Sequence, residues 1–448
     1  MLSDCTAEHF SICSDVCLFG KDDAQNLKMI RESACNDLRG KNIALHAHPA
    51  NAVRFALALD GFVNSILMVP NDACAAFVSR AEENLDIDIV VTDGLVETKH
   101  WRCSIYNINN ESVREREPAN WTENVKLPTK WLLPTSGTTG TPKVVSHSFD
   151  SLTRTISKNK SDKRHSWGLL YDPARFAGFQ VVLQAAISDA RLVIPPLAYD
   201  FDARIAFLAE NGCTALSATP SLWRKILMTK AFKKLNLEQV TLGGEIADQR
   251  ILNSLSQQFP EANITHIFAS TEAGVGFSVK DKLAGFPASW LQTGVRGVKV
   301  IISAERTLCL KNTHSGQSYL GSTESIDDGH GWIDTGDIVE VKGNRVFFKG
   351  RLNGAINIGG NKVIPEEIEA EIAGIAGVSQ VLVRSKPSSI AGSLVEALIV
   401  ADTATQDAAC LIKTVKQHCR SVFPTFKVPA FVRIVDELPV GSSGKVKR

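Results

Sequence analysis

The residues best equipped for chemistry stand together in Thr135-Ser136-Gly137-Thr138-Thr139-Gly140-Thr141-Pro142-Lys143. Five hydroxyls, two glycines and a lysine in nine positions suit a polyphosphate. Glycines let main-chain N–H groups approach phosphate oxygens, the hydroxyls donate further hydrogen bonds, and the lysine adds a point charge. Gly137 and Lys143 are spaced as in a Walker loop, but Pro142 stands where the second glycine belongs and Val144 where Ser or Thr should follow the lysine. A P-loop kinase is therefore disfavoured, and a different kind of phosphate loop is expected. Taken alone, the loop could also be a flexible Gly/Thr surface segment.

The elements that must position these residues follow from hydropathy. A strand at Ile43-Ala44-Leu45, an Ala-rich amphipathic stretch from Ala50 to Phe62, an apolar run ending at Pro70 and a strand from Ile87 to Thr92 read as α/β units around a parallel sheet. Asn107 to Lys130 is polar and aperiodic, a solvated connector. Trp131-Leu132-Leu133 reads as the strand leading into the phosphate loop. From Tyr171 to Val300, strands such as Leu192 to Ile194 alternate with helices such as Ser221 to Met228. After the turn-like Lys349 to Asn353 the rhythm changes. A strand near Val363, a helix Pro365 to Ile372, strands Val378 to Val383 and Leu394 to Val400, a helix through Leu411, Val415 and Cys419, and a strand Phe431 to Val435 suit a small α+β domain. The expected fold class is α/β: a large N-terminal domain of α/β lobes over 1–352, with mixed sheets and flanking helices, and a small α+β C-terminal domain over 353–448.

Composition sets outer bounds. A chain of 448 residues exceeds one ordinary core, and 44% hydrophobic residues support burial throughout. Forty-nine basic against forty-eight acidic side chains leave a formal charge of +1, with no general attraction for nucleic acid or an anionic membrane. No run approaches the length of a membrane span, and Asp4, Glu8 and Asp15 do not read as a secretory signal. The ten cysteines, scattered from Cys5 to Cys419, are expected to be mostly buried thiols of a cytoplasmic protein rather than a zinc site.

The loop resembles the phosphate-loop signature of the adenylate-forming superfamily, which holds acyl-CoA synthetases, peptide-synthetase adenylation domains and luciferases. Gly243-Gly244-Glu245, Phe268-Ala269-Ser270-Thr271-Glu272-Ala273-Gly274, Gly331 to Asp337, Gly350-Arg351, Gly359-Gly360 and Gly444-Lys445 follow in the family's order, so the resemblance spans about Asn42 to Arg448. It implies binding of ATP with Mg²⁺. Thr135, Ser136, Gly137, Thr138, Thr139, Gly140 and Lys143 would cradle phosphates, while Gly243, Gly244 and Glu245 would line the nucleotide with Ala269 and Ser270. Phe268 would stack on adenine, Thr271 would bond the α-phosphate and Glu272 would hold Mg²⁺. Asp337, assisted by Arg351, would accept from the ribose hydroxyls, and Lys445 would neutralise charge as pyrophosphate leaves. Asn353 would be the hinge, and Gly359 and Gly360 would line a thiol passage after domain rotation.

The chain departs from the family at Phe268-Ala269, where Tyr-Gly is usual, and at Asn353, where Asp or Lys is usual. The span between the first lobe and the phosphate loop is also compressed. Amino-acid-activating relatives carry an aspartate directly after an aromatic at the start of the pocket helix; in the matching Pro173 to Gly178 none follows Phe176, so the resemblance implies that an α-amino acid would bury its ammonium unpaired. Phe176, Ala177 and Gly178 are expected to line a pocket for an aryl or medium acyl group, His147 to line that acyl pocket or the thiol path or else to be a satisfied structural histidine, and Arg175 to pair with a second acidic group or remain solvated. The sequence ends three residues after Lys445, so the expected acceptor is free coenzyme A or the phosphopantetheine of a separate carrier protein. A non-catalytic nucleotide- or acyl-binding protein is the reading of a different class. A homodimer is left open.

Overall fold

The computed structural model describes residues 11–13, 27, 30–31, 37–108, 126–135, 143–156, 165–312, 318–320, 325–358, 361–388, 392–402 and 407–439. The chain forms two compact units, 1–283 with 311–333, and 284–310 with 334–448. The first unit is built on two seven-stranded sheets. One runs in the order Ser318–Leu320, Val144–His147, Lys130–Pro134, Ser65–Met68, Asn42–Leu45, Ile89–Thr92 and Ser104–Asn107. Lys130–Pro134 and the four strands beyond it are parallel, Val144–His147 runs antiparallel to them, and Ser318–Leu320 pairs antiparallel with Val144–His147. The other sheet places Ser11–Cys13, Arg191–Val193, Ser166–Gly168, Ala215–Ala218, Gln239–Gly243 and Asn263–Ser270 side by side in parallel, and closes with antiparallel Gly274–Val279.

Parallel strands need crossover helices, and the alternation of apolar runs supplies them. The helix Pro49–Leu59 is buried along its whole length, Asn51 and Arg54 included. This corrects the amphipathic expectation: the helix lies in a core cluster that takes in strands of both sheets, so no face meets water. Its polar groups survive burial through a chain of bonds, Arg54 donating to Asn51 Oδ1 at 3.3 Å and Asn51 to Asp93 Oδ2 at 2.9 Å. The helix Phe176–Ile187 enters the same cluster, where Phe179 packs on Trp131 with ring centroids 4.7 Å apart. The expected connector begins too early, since Ser104–Asn107 is a strand whose last residue pairs with Thr92. Residues 109–125 lie outside the described set.

In the second unit a five-stranded sheet contains the hairpin Ile333–Lys342 and Arg345–Arg351. The helix Pro365–Ile372 then precedes a three-stranded sheet of Val378–Ser388, Gly392–Ala401 and Phe431–Ile434. The helix Ala408–Val422 makes the crossover between its parallel pair. Ile368, Ile372, Leu411 and Val415 pack with Val383, Val395 and Ile399, each apolar side chain contributing about 1.5–3 kcal/mol on burial. This is the α+β arrangement expected of the C-terminal region. Among the described cysteines, Cys213, Cys309 and Cys419 are buried, whereas Cys74 and Cys410 are exposed and Cys13 and Cys103 are intermediate, so the thiols are less sheltered than expected. No helix among the described residues is long and apolar enough to cross a membrane.

Candidate active site

The phosphate loop springs from the antiparallel pair Lys130–Pro134 and Val144–His147. Past the last strand pair the Thr135 N–H donates to the Lys143 carbonyl at 2.7 Å, and the Lys143 N–H donates to Thr135 Oγ1 at 3.2 Å. Both ends of the loop are thus clamped. Ser136, Gly137, Thr138, Thr139 and Gly140 lie outside the described residues, as do Gly359, Gly360 and Lys445. The strand Ser318–Leu320 adds to the Val144–His147 edge and sets Tyr319 opposite Val145. The Lys143 ammonium stands 4.8 Å from the Tyr319 ring centroid, and the Tyr319 hydroxyl donates to Glu272 Oε1 at 3.2 Å.

Glu272 belongs to a sharp connection. Strands Asn263–Ser270 and Gly274–Val279 pair with a register shift between Phe268 and Ala269, a bulge that re-aims the chain where Thr271 and Glu272 follow. Ser270 Oγ accepts from the Ala273 N–H at 3.0 Å, and the Ala273 carbonyl accepts from Asn312 Nδ2 at 3.0 Å. The turn closes at Gly274 with a φ of 66°, where a side chain would be strained. The Phe268 ring stacks on Phe277, with centroids 5.3 Å apart and planes 20° apart, so one stacking contact is made within the protein. Gly243 ends the adjacent parallel strand, Gly244 takes a φ of 79°, and Glu245 turns back so that Oε2 accepts from the Ser221 N–H at 2.9 Å. That carboxylate sits at the N-terminus of the helix Pro220–Met228, where negative charge is stabilising.

His147 is fully buried on its strand. Nδ1 lies 3.2 Å from Ser151 Oγ, the ring is 5.7 Å from Phe176, and Nε2 makes no hydrogen bond among the described residues. Burial pushes its pKa down to about 4 against a smaller opposing effect of the Thr271 backbone, so the imidazole is neutral near pH 7. His147, Phe176 and the Thr271 backbone therefore form one neighbourhood. Gly178 differs from expectation. A Cβ there would stand 2.1 Å from the Asp172 carbonyl oxygen, so the glycine serves close passage of two backbones rather than space for an acyl group. Ala177 is exposed. Arg175 is neither solvated nor awaiting a substrate carboxylate, because its guanidinium pairs with Asp72 at 2.7 Å. Asp172, the buried carboxylate of this segment, accepts from the N–H groups of Asn71 and Ala174, both at 2.9 Å, and burial raises its pKa.

Within the second unit Asp337 and Arg351 face each other across the hairpin, Arg351 Nε donating to Oδ1 at 2.9 Å. The Asp337 N–H is held by Thr335 Oγ1 at 3.2 Å after Gly336, whose φ is 68°. The pair is pre-oriented, and the carboxylate has acceptor capacity beyond the arginine. Gly350 combines a φ of 141° with a position where a Cβ would meet Glu366 Oε2 and Ile364 Cγ2 at 2.4 Å. Asn353 is exposed in the 3-10 turn Leu352–Gly354. Sequence reasoning missed Tyr319, Asp72 and Asp172. Asp172 had a local signal, a carboxylate two residues before the Ala174 N–H that it accepts. No spacing links Tyr319 to Glu272 or Asp72 to Arg175, since these contacts exist only once remote segments meet.

The family model described as AMP-binding enzyme matches residues 70–307, and that of the AMP-binding enzyme C-terminal domain matches residues 367–445. The chain is 27% identical to a 2-succinylbenzoate–CoA ligase of Listeria monocytogenes, over 70% of this chain and 68% of that protein. It is 24% identical to a D-alanine–D-alanyl carrier protein ligase of Staphylococcus aureus, over 70% of this chain and 69% of that protein. Its fold is that of an anthranilate CoA ligase solved with anthranoyl-AMP, at a TM-score of 0.78 and 15% identity, over 100% of this chain and 95% of that one.

Proposed function

We propose, from the premise that this chain belongs to the AMP-binding, adenylate-forming enzymes, that it activates a small aryl or medium acyl carboxylic acid with ATP and transfers the acyl group to coenzyme A. The observation that carries this reading is the meeting of Lys143 and Glu272 on one tyrosine. A cation suited to a polyphosphate and a carboxylate suited to a divalent metal are held by the same side chain. Mg²⁺ binds through one or two carboxylates together with substrate phosphates, so a lone Glu272 beside the clamped phosphate loop fits it, and the metal would offset phosphate charge. Thr271 would bond the α-phosphate, Phe268 would stack on adenine beside Gly243, Gly244 and Glu245, and the oriented Asp337–Arg351 pair would take the ribose.

In the first half-reaction a carboxylate oxygen attacks the α-phosphorus, and the bond to pyrophosphate breaks. Lys445 neutralises the developing charge, an electrostatic role. In the second, the thiol sulfur bonds to the acyl carbon, AMP leaves and the thiol proton passes to solvent. The region 353–448 rotates about Asn353 between the two, exchanging Lys445 for Gly359-Gly360. The neutral His147 and Phe176 line the acyl side of the site and favour an apolar acyl group there. The likeness to a carrier protein ligase supports a second reading, in which the acceptor is the phosphopantetheine of a separate carrier.

The test is incubation with Mg-ATP, coenzyme A and a panel of aryl and aliphatic acids, following pyrophosphate and thioester mass, with Lys445→Ala alongside. Pyrophosphate and thioester together, with adenylation lowered at least about 100-fold in the variant, are expected. Acyl-adenylate without thioester would move the acceptor to a carrier protein. ATP binding without product across the panel would overturn the enzymatic reading.

A further inference from the structure

Tyr319 stands on the Ser318–Leu320 strand, outside every motif discussed above, yet it touches two groups central to the proposed site. Its single hydroxyl proton is donated to Glu272 Oε1 at 3.2 Å, and its ring lies 4.8 Å from the Lys143 ammonium. The three side chains come from segments far apart in sequence. Antiparallel pairing of Tyr319 with Val145 sets the edge strand beside the strand that begins after Lys143, and the Tyr319 hydroxyl reaches the turn at Glu272. The same stretch of chain holds the turn a second time, Asn312 Nδ2 donating to the Ala273 carbonyl at 3.0 Å.

We infer that Tyr319 is a positioning residue for Mg-ATP, orienting Glu272 through its hydroxyl and Lys143 through its ring. A phenol O–H donating to one carboxylate oxygen fixes the rotation of the carboxylate plane and leaves Oε2 and the remaining lone pairs for a metal. A hydrogen bond to a charged acceptor is among the stronger kinds, and a cation over an aromatic face is attracted by the ring quadrupole. A single side chain therefore sets two opposite charges at a defined separation, where a direct Lys–Glu ion pair would use up both. The two contacts are chemically separable. Phenylalanine keeps the ring and deletes the hydroxyl, while leucine deletes both.

The inference rests on the adenylate-forming reading, and one experiment tests each separately. Wild-type protein, Tyr319→Phe and Tyr319→Leu are compared in binding of a fluorescent ATP analogue across a Mg²⁺ titration, with thermal melts as the control for folding. Tyr319→Phe should raise the Mg²⁺ concentration for half-maximal binding about tenfold, the size of one lost charge-assisted hydrogen bond, with affinity at saturating Mg²⁺ within about twofold of wild type. Tyr319→Leu should show the same Mg²⁺ shift and in addition weaken binding at saturating Mg²⁺ several-fold. A merely structural tyrosine would lower the melting temperature without moving the Mg²⁺ requirement. Superimposable Mg²⁺ titrations for wild type and Tyr319→Phe would overturn the inference while leaving the parent reading intact, whereas wild-type protein that binds no nucleotide at any Mg²⁺ concentration would remove both.

Discussion

Acidification should destabilise the first unit through His147 in a way that one substitution can isolate. The imidazole is fully buried between its strand, Ser151, Phe176 and the Thr271 backbone, and its folded pKa of about 4 lies below the ordinary value of 6.5. Between those values the unfolded chain holds a proton that the native protein excludes. Stability contributed by the neutral imidazole is therefore complete above about pH 6.5 and is lost as pH falls toward 4. At about 1.4 kcal/mol per pH unit the full window is worth roughly 3 kcal/mol, of which about 2 kcal/mol is lost between pH 7 and pH 5. Urea unfolding of wild type and His147→Gln, followed by tryptophan fluorescence at pH 7, 6 and 5, reads the difference. The variant begins lower, by about 1 kcal/mol for the lost bond to Ser151, but should fall less steeply with pH. Other titrating groups are common to both proteins and cancel in the comparison. Parallel pH dependences would refute the buried neutral histidine.

Three further outcomes follow from the geometry. Gly178→Ala places a methyl group 2.1 Å from the Asp172 carbonyl oxygen, and the backbone shift required should cost about 1–3 kcal/mol, seen as a lower melting temperature. Arg175→Ala deletes a pair whose Asp72 partner is half exposed, so stability should change by no more than about 1 kcal/mol. The KM for mono- and dicarboxylic acids should stay within about twofold, and a selective rise for dicarboxylic acids would return Arg175 to the substrate. Glu245→Ala removes the acceptor for the Ser221 N–H at a helix start and should cost about 1 kcal/mol, whereas an unchanged melting temperature with weaker ATP binding would make Glu245 a nucleotide contact alone.

Much of the framework is legible in local sequence because the forces that shape it are local. The strands Asn42–Leu45 and Ile89–Thr92 and the helices Pro220–Met228 and Pro365–Ile372 announce themselves by apolar runs and turn residues close to their observed bounds. The Thr135 and Lys143 ends of the loop are adjacent because the strands Lys130–Pro134 and Val144–His147 that flank it pair antiparallel. The helix Pro49–Leu59 marks where this logic fails. Its polar positions look solvent-facing, but the helix is covered along its whole length, and Asn51 is satisfied by Asp93 just past the end of the strand Ile89–Thr92, which neighbours Asn42–Leu45 in the sheet but is remote in sequence.

Sequence by itself determined the adenylate-forming family, the order of its motifs and the residue types able to meet a nucleotide, because those are properties of short segments. Tertiary structure alone decided that Tyr319 joins Lys143 to Glu272, that Asp72 claims Arg175, that Gly178 yields to a neighbouring carbonyl and that His147 stays uncharged. Each of these depends on which remote segment arrives within a few ångströms, and on how much water it displaces, quantities set by the packing of whole sheets rather than by any stretch of chain.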